Sequence, residues 1–112
     1  MSTPYTLVQN LSEAVQEIPV DSIVSRTVYR DDTLKSILFA FAPGQELSEH
    51  TASVPAIIQI IEGECQVKLG SDVFEAKPGF WTRMPAKLPH SLLAHTPVKM
   101  LLLMYSDAKE TA

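Results

Sequence analysis

The sequence predicts an all-β fold, a small antiparallel β-barrel or jelly roll with at most one short N-terminal helix. Eight prolines and four glycines punctuate the chain at short intervals. Between them lie runs of five to nine residues rich in Val, Ile, Leu, Phe, Thr and Tyr. Short strands at regular spacing, with turn signals between them, mark sandwiches and barrels.

The first element has two readings. LSEAVQEI, residues 11–18, puts Leu11, Ala14, Val15 and Ile18 on one helical face, with Ser12 placed to cap it. The stretch is also short enough to be an extended arm. Residues 1–20 are therefore read as an arm or short helix, and 21–106 as the barrel. Strands are expected at 22–30, 33–41, 45–51, 56–62, 64–69, 72–76, 80–84, 90–95 and 98–105. Pro43-Gly44 and Pro78-Gly79 join a fixed φ to a residue that tolerates positive φ, which makes turns. Leu69-Gly70-Ser71-Asp72 separates two runs as a tight hairpin does. Pro85 and Pro89 bracket a loop that cannot continue a central strand. No repeat, linker or low-complexity tract divides the chain, so residues 1–112 are expected to form one domain.

Bulk properties narrow the function. Apolar residues make up 46% of the chain, which suits a packed core and argues against disorder. A net charge of −4 leaves no electrostatic footprint for nucleic acid. The basic residues are scattered, so no membrane-surface patch is expected either. Cys65 is the single cysteine, which rules out an intrachain disulfide and fits a reducing compartment. The N-terminus lacks the basic segment and apolar core of a signal peptide. The longest apolar runs are too short to cross a bilayer as a helix. A soluble, cytoplasmic protein is expected.

IIQII at 57–61 and KMLLLMY at 99–105 are apolar on both faces. A strand with water on one side alternates. The second face of these strands needs a cover, either a second sheet or a partner subunit, and a homodimer is expected. Trp81 and Arg83, on the outward side of their strand, suit such an interface.

Two blocks carry the candidate chemistry. Gly44 is followed six residues later by His50, and Glu62-Gly63-Glu64 closes that segment. In GFWTRMPAKLPHSLLA, Gly79 is followed six residues later by Pro85 and five beyond that by His90. Together and in this order they resemble the two motifs of the cupin superfamily, in the form of a small cupin-2-type conserved barrel protein. The resemblance implies an RmlC-like double-stranded β-helix and a metal site of three histidines and one carboxylate. Only part of that site carries over. His50 and His90 stand at ligand positions; Gly44, Gly63, Gly79 and Pro85 stand at turn positions. The second histidine of the first motif falls at Ala52 and its glutamate at Ala56. In the second motif the glycine before the histidine is replaced by Lys87, and the closing asparagine by Ala94.

Strand alternation turns these positions into a pocket. If His50 points inward, Ser48 and Ala52 do too. If His90 points inward, so do Leu92 and Ala94. Ala56, Ile58, Ile60, Thr82 and Met84 follow by the same rule. The expected site is thus His50 and His90 amid Ala52, Ala56, Ile58, Ile60, Thr82, Met84 and Leu92, an apolar cavity suited to a small molecule.

Two imidazoles fall short of the three protein ligands that zinc or iron centres take. A divalent metal (Zn, Fe, Mn or Ni) at His50 and His90 would need a third ligand from water, a substrate, Glu46 or Glu49. The reading without metal ranks first, with the imidazoles bonding each other, water or a ligand. Either ring could serve as general acid or base, but no residue is assigned a catalytic role. The expected function is small-molecule binding; the alternative is a metal-dependent cupin enzyme of dioxygenase, isomerase or decarboxylase type. His95 is expected on the surface and Cys65 in the core. Met84, Met100 and Met104 read as core filler, and Glu62 and Glu64 as turn-flanking residues.

Overall fold

The computed structural model describes residues 4–106. Among them are one 3-10 turn, Leu11–Ala14, and nine strands: β1 Ile23–Arg30, β2 Leu34–Phe41, β3 Glu46–His50, β4 Ala56–Glu62, β5 Cys65–Leu69, β6 Asp72–Ala76, β7 Trp81–Met84, β8 His90–Ala94 and β9 Val98–Tyr105. Every expected strand is present, with ends moved by at most a residue. No helix among the described residues is long and apolar enough to cross a membrane.

The expected helix shrinks to a single 3-10 turn. Asn10, not Ser12, caps it: its side-chain oxygen accepts from the Ser12 amide at 3.1 Å. The backbone is already extended at Val15, so Val15 and Ile18 never join a helical face. One turn closes too few hydrogen bonds to propagate without packing along its length.

The strands pair antiparallel into two sheets, β1-β2-β9-β4-β7 and β3-β8-β5-β6. From β2 onward the chain passes back and forth between them, as in a jelly roll. The sheets form an open sandwich, and strand pairing does not close them into the expected cylinder. The seam between the edge strands β6 and β7 shows it. Phe74 there keeps 43% of its surface exposed, with Phe80 beside it at 6.3 Å between ring centres.

Turn chemistry matches the expectation at both Pro-Gly pairs. The Gln45 amide donates to the Ala42 carbonyl and the Phe80 amide to the Lys77 carbonyl, with Gly44 and Gly79 at φ +83° and +102°. Gly63 is fixed twice over. Its φ is +87°, and a Cβ there would meet the Pro97 carbonyl oxygen at 2.0 Å.

The core lies between the sheets, with Phe41, Ile60, Val67, Met84, Leu92, Val98 and Met100 fully buried. Each such side chain contributes on the order of 1.5–3 kcal/mol by leaving water. A second buried layer lies on the outer face of the five-stranded sheet. Leu38 pairs with Leu101 there, and both are buried outside the central cluster. The arm before β1 runs over this face. Lys99 Nζ donates to the Ser12 carbonyl at 2.6 Å, Ser12 Oγ donates to Glu62, and an Arg26 guanidinium nitrogen donates to the Ala14 carbonyl at 3.4 Å. The two-faced apolar character of β9 is thus answered in part by the chain's own N-terminal arm.

Candidate functional site

His50 ends β3 and His90 begins β8, and the two are direct cross-strand partners. Between the Leu47–Leu92 pair and the His50–His90 pair, β3 carries Ser48 and Glu49 where β8 carries only Ser91. This is a β-bulge, two residues opposing one. Its effect is to return His50 to the face that Leu47 occupies, although three positions separate them. The expectation that Ser48 points inward with His50 is therefore corrected. Ser48 is exposed, while Leu47 packs on the core.

The rings lie 4.2 Å apart between centres, inclined at 57°. His90 is buried, 6% exposed, and His50 is exposed beside it at the end of the sandwich. Each Nδ1 sits on a backbone carbonyl two residues back: His50 on Ser48 at 2.8 Å, His90 on Leu88 at 2.9 Å. A carbonyl oxygen only accepts, so each Nδ1 carries the proton. In the neutral rings both Nε2 atoms therefore hold a free lone pair. Burial lowers the His90 pKa below its usual value. The Leu88 carbonyl opposes that shift, and the His50 ring adds to it. Neutral His90 is the favoured form near pH 7.

The other expected pocket residues separate along the fold. Ala56 pairs with Met84 at the ends of β4 and β7, and Leu92 lies two residues from His90; all three are buried. Thr82 is half-buried. Ile58 and Ile60 are buried further along β4, so Ile60 stands about 13 Å from Ala56 at strand rise. Ala52 lies in the loop after β3, half-buried, and its carbonyl accepts the Lys87 amide at 2.7 Å. Lys87, at the position of the family's glycine, has φ +70°. The backbone shape is kept without the residue type that favours it.

A metal is implied by the resemblance, and the donors here do not fit it. Among the described residues no group of three His, Cys, Asp or Glu side chains converges. Glu49 turns instead toward Lys68, at 4.0 Å. Glu46 is exposed. His95 stands apart on the surface, its Nε2 on the Glu75 carboxylate at 2.9 Å. Cys65 is buried, its thiol pushed up to about 11 by burial and then by Glu75, which makes it inert. The contacts that sequence reading missed are the Ser48 and Leu88 carbonyls. They carry no side-chain signal, since any residue supplies one.

A family model for the cupin domain matches residues 37–104, from within β2 to within β9 and across both histidines. The chain belongs to the cupin family. Among solved structures, this cupin is similar to a cupin superfamily protein from Desulfitobacterium hafniense, with TM-score 0.82 and 22% identity over 95% of this chain and 100% of that one. It is similar to a cupin 2 conserved barrel domain protein from Leptotrichia buccalis, with TM-score 0.79 and 30% identity over 87% of this chain and 47% of that one. It also shares its fold with a salicylate 1,2-dioxygenase from Pseudoaminobacter salicylatoxidans, with TM-score 0.70 and 17% identity over 84% of this chain and 28% of that one. No curated protein matches this cupin in sequence.

Proposed function

We propose that this cupin binds a small hydroxyl- or carboxyl-bearing molecule at the His50–His90 pair, without a resident metal. The supporting observation is the pair of free Nε2 lone pairs on adjacent rings, each ring locked by a backbone carbonyl. Two fixed acceptors suit a ligand that brings hydrogen-bond donors. An acidic ligand passes its proton to one Nε2 and is held as an ion pair, which strengthens the contact. Leu92, buried two residues along β8 from His90, puts an apolar side chain on the same face of the strand. Metal analysis of protein purified without chelator or a nickel column tests the reading. The expected result is substoichiometric metal; one equivalent of iron, manganese, zinc or nickel overturns it.

The same free Nε2 atoms favour a second reading, a metal-dependent enzyme of dioxygenase, isomerase or decarboxylase type with a third ligand from outside the chain. It requires that His50→Ala and His90→Ala each abolish both metal uptake and turnover.

The protein is further proposed to act as a homodimer. Trp81 is 57% exposed on the outer side of edge strand β7, across from Gln59. Sedimentation velocity should show a dimer that Trp81→Glu splits into monomers. A monomeric wild type at high concentration would end this proposal.

A further inference from the structure

We propose that the groove between the N-terminal arm and the outer face of the five-stranded sheet is a second binding site, for a neutral, mostly apolar small molecule with one hydrogen-bonding oxygen. The groove is open to solvent on one side and offers about 610 Å³, with Val8 and Leu11 on the arm side and Val28, Leu34, Ser36 and Leu103 on the sheet side. That volume lies within the range of small-molecule pockets, roughly 300–1,000 Å³.

Ser36 directs the ligand chemistry. It sits on β2 between its cross-strand partners Tyr29 and Leu103. The outward residues of β2 are Leu34, Ser36, Leu38 and Ala40, so Ser36 is the one polar side chain in an apolar row. Only 8% of it is exposed, and its hydroxyl has no hydrogen-bond partner among the described residues. Buried hydroxyls are nearly always paired, and no described residue supplies this one with a partner, so the hydroxyl is open to a molecule seated in the groove. A hydroxyl both donates and accepts, so a ligand carbonyl or hydroxyl satisfies it. The Tyr29 hydroxyl does not compete, because it already donates to Asp31 at 2.7 Å. None of the side chains lining the groove is charged, so a charged ligand finds no counter-ion there. The histidine pair faces the space between the sheets, on the other side of this sheet, so the two sites are independent.

The test titrates benzophenone, a neutral ketone, into 15N-labelled full-length protein and follows the backbone amides. Shifts are expected at Val28, Leu34, Ser36 and Leu103 but not at His50 or His90. Ser36→Ala should weaken benzophenone binding about fivefold, the value of one neutral hydrogen bond. Diphenylmethane has the same shape without the oxygen, so it should bind wild type and Ser36→Ala equally, which separates a lost hydrogen bond from a misfolded groove. 4-Benzoylbenzoate should bind more weakly than benzophenone. Absence of groove shifts, or Ser36→Ala binding benzophenone like wild type, overturns the proposal. So do concentration-dependent shifts at the same amides without probe, which would assign the groove to a second copy of the chain.

Discussion

At the scale of single residues, two backbone positions make opposite demands. Lys87 holds φ +70° with a side chain, which costs about 1–2 kcal/mol relative to right-handed backbone. Glycine removes that strain but loses more freedom on folding, about 0.5–1 kcal/mol. Lys87→Gly should therefore stabilise the fold by about 0.5–1 kcal/mol in urea unfolding, with the Ala52–Lys87 backbone bond kept. A drop in stability would show that the Lys87 side chain makes a favourable contact that outweighs its strain. Gly63 is the converse case. Gly63→Ala puts a Cβ 2.0 Å from the Pro97 carbonyl oxygen, and backbone must move to relieve it. The expected loss exceeds about 2 kcal/mol, and a wild-type midpoint would contradict the close approach. Sequence reading placed Gly63 at a turn. The Pro97 contact comes from the β8–β9 connection, more than thirty positions along the chain, beyond the reach of local pattern.

At the scale of elements, the strands were legible because turn residues bounded them and apolar residues filled them. The burial along β4, β7 and β8 alternates as expected: Ala56, Ile58 and Ile60 are buried while Gln59 is exposed, and His90, Leu92 and Ala94 are buried. Alternation failed in β3, where the bulge adds a residue. No sequence pattern marks it, because Ser48 and Glu49 are ordinary strand residues on an exposed face. Deleting Glu49 makes a sharp test. Without it, regular alternation itself puts Leu47 and His50 on one face, so the His50–His90 pair should survive. Ring-to-ring nuclear Overhauser contacts in the deletion variant should match wild type; their loss would mean that the bulge aims His50 in some further way. The N-terminal element stayed open between an arm and a short helix for a related reason. Apolar spacing at 11–18 fits a helix, but tertiary contacts from Lys99 and Arg26 hold the segment as an arm after one turn.

At the scale of the whole molecule, stability should depend on pH through His90. The unfolded chain binds its proton near pH 6.5, and the folded protein binds it only at lower pH, because burial disfavours the charged ring. Below 6.5 the unfolded state therefore carries more protons, and stability falls as pH falls. Asp31 acts in a separate window. The Tyr29 hydroxyl first, then the Thr33 and Leu34 amides, hold its carboxyl at about 2. Unfolding midpoints measured from pH 7.5 to 5 should decline in wild type and flatten in His90→Gln. An equal decline in both would remove His90 as the cause.

The sequence by itself determined the all-β class, the order of strands and the turns at Pro-Gly pairs, because each depends on local pattern or on residue type, and it singled out His50 and His90 as candidates. Tertiary structure alone decided three other features: the open seam between the sheets, the arm folded over the outer face, and the tautomers of His50 and His90. Those depend on backbone groups and surfaces brought together from distant parts of the chain, and a backbone carbonyl has the same chemistry whatever residue bears it.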